Sequence, residues 1–426
     1  MIKIPEILKE KATILEQYYK INYPDLAPLA KQCFLNTIQT TVKQLDDGNY
    51  FVITGDIPAM WLRDSAAQVR HYLRYAKSDL ELSTIIAGVI KQQVKFVKLD
   101  PYANAFNESA NGKGHQDDTE LHPHVWERKY EVDSLCAPLY LSYEYWKVTG
   151  NNAIFDNDYL EMLNTIIKVF KIEQKHETSS YSFQRYHCAK TDTLVNQGKG
   201  RPVNDTGMTW SGFRPSDDCC KFGYLIPANM MAVVALSYGE EICREVYKNE
   251  EYAEKCRILK EEIKDGIEDY GIVKHPVYGD IYAYETDGYG NYNMMDDANS
   301  PSLLAMPYLH YCDLSDVRYQ NTRRFVLSED NPYYHSGTHA SGVGSPHTPE
   351  GMIWHIGITM RALTSNDKEE IKDCLAMLAK THAGTNFMHE AFDPNDPANY
   401  TRSWFAWANS LFADLLLVLL ERDFFA

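Results

Sequence analysis

Apolar residues recur at three- and four-residue spacing along most of the chain. This predicts helices over about 5–20, 26–46, 61–77, 79–98, 131–149, 154–173, 228–248, 251–268, 300–311, 315–327, 351–364, 366–381 and 402–421. Two-residue alternation is scarce. Its best case, Ile281-Tyr282-Ala283-Tyr284-Glu285 beside the Asp287-Gly288 turn signal, predicts a short β-hairpin. Loops rich in Gly, Pro, Asn and aromatic residues occupy about 99–130, 174–227, 269–299, 329–350 and 382–401, and loops this long are usually functional. No Pro/Ser-rich linker, low-complexity tract or internal repeat divides the sequence, so residues 1–426 read as one all-α domain. About a dozen antiparallel helices can close into an (α/α)6 toroid with the loops on one face. An open helical solenoid would give the same periodicity.

Composition narrows the function. The 426 residues, 44% of them hydrophobic, can bury a large core. A net charge of −17 argues against nucleic acid and anionic membrane as partners. Thirty Tyr and seven Trp supply flat apolar faces with hydrogen-bonding edges, which suit sugar rings. The first ten residues mix charge with apolar side chains and lack the pattern of a signal peptide, so no export is expected. The apolar run Leu411–Leu420 contains Asp414 and reads as a buried helix, not a membrane span. Nine irregularly spaced Cys read as reduced thiols of a cytoplasmic protein, and Cys219-Cys220 as small buried hydrophobes ahead of a reactive pair.

The candidate chemistry centres on Phe213-Arg214-Pro215-Ser216-Asp217-Asp218. Adjacent carboxylates, partly buried beside the cation Arg214, raise one pKa and leave a proton donor near neutral pH. The same Asp could instead cap a following helix. Glu390 follows an apolar run and precedes an aromatic, a place for a partner base. In Trp61-Leu62-Arg63-Asp64 the guanidinium fork and the carboxylate could hold vicinal hydroxyls, or pair locally at a helix start. Asn104 and Trp126 add an amide and a stacking face, while Glu131 and Asp133 either bind or form an acidic first turn. Asp296-Asp297 lack the spacing of a calcium loop and read as a helix cap or sugar contacts. The glycine-rich loop carrying His335, His339 and His347 reads as a cavity lining with no role assigned to each His. Arg402 is a pocket contributor, whereas Trp404 and Trp407 read as a core stripe.

Four of these motifs, Gly55–Ser65, Trp126–Ser134, Thr209–Asp218 and Met388-His389-Glu390, together resemble glycoside hydrolase family 125, the exo-acting α-1,6-mannosidases, over essentially the full length. The resemblance implies an (α/α)6 toroid, inversion, no metal or other cofactor, and an oligosaccharide with terminal α-1,6-mannose as partner. It also implies that one of Asp217 and Asp218 is the general acid and Glu390 the general base, with carboxyls about 6.5–9.5 Å apart. Arg63 and Asp64 would hold the terminal sugar. Glucoamylase-like toroids, which look similar, use the first of two consecutive acids, and that analogy selects Asp217. Two other readings stay open: a catalytically silent glycan-binding protein, and a sugar epimerase using a His pair drawn from His335, His339 and His347.

Overall fold

Two kinds of helix build the molecule. The computed structural model describes residues 2–115 and 121–425, and twelve of its helices are nine residues or longer. These are α1 (Glu6–Asn22), α2 (Ala27–Thr40), α3 (Leu62–Arg70), α4 (Leu80–Leu99), α5 (Val132–Thr149), α6 (Asn157–Glu173), α7 (Ile226–Glu245), α8 (Glu250–Tyr270), α9 (Val317–Val326), α10 (His355–Leu363), α11 (Lys368–Lys380) and α12 (Ala406–Glu421). Helix α8 buries one stripe, Ala253, Cys256, Leu259, Ile263 and Ile267, and turns its charged face outward. By contrast, α12 is buried on nearly every face from Ala406 to Leu417, so it must lie inside.

The buried helices form the inner ring: α3 packs on α5, α5 on α7, α10 on α12, and α12 back on α3. Between α7 and α10 the inner place falls to residues 301–311, which are turns, not the helix expected over 300–311. Pro301 and Pro307 lack N–H donors, and the Asp296 carboxylate takes the amides of Leu303 and Leu304 at 2.8 and 3.0 Å. The segment still completes the ring. Its Leu309 carbonyl accepts Tyr140 of α5, His310 meets Tyr238 of α7, and Tyr308 donates to Asp414 of α12. The architecture is thus the all-α (α/α)6 toroid expected, with α2, α4, α6, α8, α9 and α11 outside.

The helix expected over 26–46 stops at Thr40, because Val42–Gln44 turns back through Asp46-Asp47-Gly48 and pairs with Tyr50–Val52. The expected hairpin straddles two: Gly279–Tyr282 pairs with Ile272–His275, and Glu285–Thr286 pairs with Tyr292–Asn293 around Asp287-Gly288. Among the described residues no helix is long and apolar enough to cross a membrane.

Helix starts differ between the layers. Five of the six outer helices open on side-chain caps, with Asp79, Asp156, Asn249, Asp316 and Asp367 accepting backbone N–H groups, while α2 opens on Leu26 without one. Inner helices open on Trp61, Glu131, Leu225, Trp354 and Phe405, none of which caps with its side chain. Most of these residues end a two-residue strand or bridge: Met60–Trp61 pairs with Ala105–Phe106, Tyr224–Leu225 with Glu285–Thr286, Ile353–Trp354 with Ala391–Phe392, and Phe405 with Gly55. The uncapped N-termini give this face of the ring a partial positive charge that favours carboxylates.

Candidate active site

Trp61, Trp354 and Phe405, each the residue just before an inner helix, line one pocket of about 370 Å³. Arg63, Asp64, Asp217, Asp218, Glu390 and Arg402 line it as well. Segments far apart in the chain therefore meet here.

The Asp217-Asp218 pair sits on a tight turn and caps no helix, since the next long helix begins at Ile226. Pro215 presets the turn, the Asp217 amide donates to the Arg214 carbonyl at 2.8 Å, and Phe213 bridges Cys219 below. Asp217 adopts φ +65°, a left-handed conformation that Asp tolerates better than most residues. Its Oδ1 accepts the Trp61 indole at 3.3 Å and the Asn104 amide at 3.1 Å, and lies 3.7 Å from an Arg63 nitrogen. Burial works to raise its pKa. Arg63, Lys129, a hydrogen bond from Glu131 and the charge of His347 outweigh burial and bring it to about 2. Asp217 is an anion.

Asp218 differs. One oxygen accepts His347 Nδ1 at 3.1 Å, and the other is buried with no hydrogen-bond partner among the described residues.

Arg63 is the hub of the acidic cluster. It reaches Glu131 at 2.5 Å, Asp133 at 3.0 Å and Asp64 at 3.5 Å, all of them buried. Burial drives Glu131 well above the carboxylate range against the pull of Arg63, with Asp217 and Asp133 adding to the rise, so Glu131 holds a proton that it shares with Asp217. Burial likewise raises Asp64 to about 6, opposed by Arg63.

Glu390 leads into Ala391–Phe392, which is clamped to Ile353–Trp354. Its two oxygens meet the Thr401 hydroxyl at 2.9 Å and Arg402 at 3.4 Å, and Arg402 is anchored in turn by Asp56.

Four expected contacts lie behind the pocket or away from it. Arg214 donates to the buried Glu285 at 2.6 Å and does not line the pocket, because that carboxylate, which also takes the amides of Lys221 and Phe222, holds it in the loop's base. Asn104 is fully buried and spends its amide on Glu127, Glu131 and Asp217. Trp126 packs behind Trp61 and edge-on to His115. His335 lies in the hairpin Tyr334–Ser336/Ser341–Val343, and of the three loop histidines only His347 lines the pocket. The pair needed for an epimerase is not assembled.

The sequence reading missed Glu127, Lys129, Arg185 and Asp192, which wall another side of the pocket. Lys129 contacts Asp192 at 2.5 Å and Glu127 at 3.5 Å, and Arg185 bonds both acids. Alternation along the strand Val125–Glu127 and on to Lys129 could have found the first two. Arg185 and Asp192 lie in an irregular loop without such a signal. Trp407, expected in the core, lines the pocket beside the Arg63 guanidinium. Among the described residues no group of three or more His, Cys, Asp or Glu is arranged to hold a metal ion.

A family model described as metal-independent alpha-mannosidase (GH125) matches residues 23–417. Meiotically up-regulated gene 157 protein of Schizosaccharomyces pombe is 41% identical over 437 residues, spanning 96% of this chain and 85% of that protein. A Streptococcus pneumoniae metal-independent alpha mannosidase, solved in a non-productive substrate complex with alpha-1,6-mannobiose, is 47% identical with a TM-score of 0.96, covering 99% of this chain and 100% of its own. A wild-type glycosidase shares the fold alone, at 11% identity and a TM-score of 0.55 over 92% of this chain and 96% of its own.

Proposed function

The chain belongs to the GH125 family of metal-independent α-mannosidases, and on that premise we propose that it releases terminal mannose from the non-reducing end of α-1,6-mannosides with inversion. The observation that carries this reading is the meeting of Asp218 and Glu390 in one small pocket with the sugar-binding pair Arg63-Asp64. A pocket of about 370 Å³ suits a chain end better than the middle of a long glycan. The α-1,6-mannobiose bound by the Streptococcus pneumoniae relative supports the choice of linkage.

Asp218 is the proton donor in this reading. Asp217, which the glucoamylase analogy favours, is clamped as an anion by Arg63, Lys129, Trp61 and Asn104 and serves instead as a fixed acceptor. Asp218 has one oxygen held by His347 and the other buried without a hydrogen-bond partner among the described residues. Glu390 takes a proton from the water that attacks C1 on the opposite face. Thr401 and Arg402 fix the orientation of its carboxylate. Arg63 and Asp64 hold hydroxyls of the terminal mannose over Trp407. The nine cysteines are free thiols, which supports action in the cytoplasm.

The test is a panel of α-1,2-, α-1,3- and α-1,6-linked mannobioses, followed by release of free mannose. Turnover confined to the α-1,6 linkage is expected. Preferred cleavage of another linkage overturns the substrate assignment, and binding without release favours the glycan-binding reading.

A further inference from the structure

A second pocket, of about 570 Å³, opens at the tip of the hairpin Glu285–Thr286/Tyr292–Asn293. Gly288 and Gly290 turn the chain there at φ +74° and +93°, and Tyr289 is the aromatic side chain carried between them. Its backbone amide donates to Asp287 Oδ1 at 2.8 Å and its hydroxyl to the Val203 carbonyl at 3.2 Å, yet the residue stays 60% exposed. Fixing a ring at both ends costs rotamer freedom that so little burial does not offset; a ligand on the open face would. Phe222 adds a half-buried ring, the Asn291 amide is anchored on Asp287 Oδ2 at 2.7 Å, and the exposed Arg201 has no ion pair among the described residues. Aromatic faces beside an amide and an unpaired guanidinium suit a sugar, whose C–H face stacks while its hydroxyls accept from the nitrogens.

The same two segments build both pockets. Arg185 and Asp192 wall the active site while Val195 and Arg201 line the second pocket, and Asp217 and Asp218 line the first while Phe222 lines the second. Val195 follows Asp192 by three positions and Phe222 follows Asp218 by four, which limits their separations to about 11 and 14 Å. The strand Tyr224–Leu225, just after Phe222, pairs with Glu285–Thr286 and runs into α7, so the hairpin stands on the face where the inner helices begin. We infer that this pocket binds a second sugar residue of the same oligosaccharide, on the leaving-group side of the bond that is cut. The inference rests on the mannosidase reading for its ligand, a neutral α-1,6-mannoside chain whose non-reducing end fills the active site. A general acid stands on the side from which the leaving group departs. The rest of the chain therefore passes the Asp217-Asp218 turn, whichever Asp gives the proton, and the Tyr289 pocket lies just beyond it. Holding a long chain at two linked points raises affinity without entering bond cleavage.

The experiment compares linear α-1,6-mannohexaose with α-1,6-mannobiose. Tyr289→Ala and Arg201→Ala should each raise KM on the hexaose by about fivefold with kcat unchanged, while both constants on the mannobiose stay within about twofold and show that the fold is intact. Tyr289→Trp, which keeps a stacking face, should retain the KM of the unaltered protein. Equal effects on the two substrates, or no effect on the hexaose, overturn the second site. Calorimetry of hexaose binding to Glu390→Gln, with and without Tyr289→Ala, needs no turnover. A dissociation constant about fivefold higher in the double variant is expected, and equal constants or no binding overturn the site. If the unaltered protein releases mannose from neither substrate, the proposed function fails, and the calorimetric comparison decides the second site by itself.

Discussion

Arg214 and Glu285 form a buried ion pair, with the guanidinium Nε 2.6 Å from the carboxylate and neither group lining the pocket. Glu285 also gathers the amides of Lys221 and Phe222 and the Asn293 side chain. The pair therefore holds the acid-bearing turn against the Tyr224–Leu225/Glu285–Thr286 sheet. Arg214→Met should leave Glu285 buried without its cation and cost about 3–5 kcal/mol in chemical denaturation. KM of the surviving folded fraction should change little; a large rise in KM with stability intact would return Arg214 to the substrate.

Asp217 and Asp218 should fail differently. Asp217→Asn removes an anion that balances Arg63 and Lys129, so KM should rise as the Trp61 and Arg63 side chains lose their anchor. Asp218→Asn should leave KM nearly unchanged and lower kcat on mannobiose by about 10²–10⁴-fold. Steady-state kinetics on the two variants separates the roles, and the reverse pattern would make Asp217 the acid.

The first sugar released should be β-mannose. Single displacement by water activated at Glu390 inverts the anomeric centre of an α-mannoside, and proton NMR within the first minutes of reaction reads the anomer before it equilibrates. Glu390→Gln should abolish turnover with the fold retained. Initial release of α-mannose would show retention and remove Glu390 from the base role.

Substrate affinity should depend on pH through Asp64. Burial, opposed by Arg63 and reinforced by Asp217, places its pKa at about 6. Below that value Asp64 is neutral and a weaker acceptor for sugar hydroxyls; above it the group is ionised. KM should therefore fall as pH rises from about 5 to 7. The trend should vanish in Asp64→Asn, and a KM that rises over this range would contradict the assignment.

Helix spacing in the sequence marked nearly every long helix because the outer ones bury a single stripe, as in Ala253, Cys256, Leu259 and Ile263. The same signal misled at 300–311. Leu303, Leu304, Met306 and Leu309 are buried at helical intervals, yet prolines and the Asp296 carboxylate claim the backbone. Apolar Val42 and Leu45 likewise prolonged a helix that had ended. In the site, Trp61, Arg63, Asp64, Glu390, Arg402 and the Asp pair were legible because charge next to aromatic residues at helix or strand starts is unusual. Arg214 carried the same signature and serves a buried pair, since a local pattern cannot show that Glu285 will fold against it. His347 could not be told from His335 and His339 in a loop without periodicity. Only its tertiary contact with Asp218 distinguishes it.

Gly55 bridges Phe405, and Tyr19 in α1 donates to the Leu416 carbonyl in α12. The first and last stretches of the chain therefore lock to each other, and Glu390, Arg402 and Trp407 enter the pocket from the late side of that seam. During vectorial synthesis a nascent chain that already carries Arg63, Asp217 and Asp218 still lacks Glu390, Arg402 and Trp407 and has no floor to its pocket. It must wait for contacts of very large sequence separation before hydrolysis can begin. Catalysis then switches on only once the ring has closed, and enzymatic activity doubles as a report of that closure.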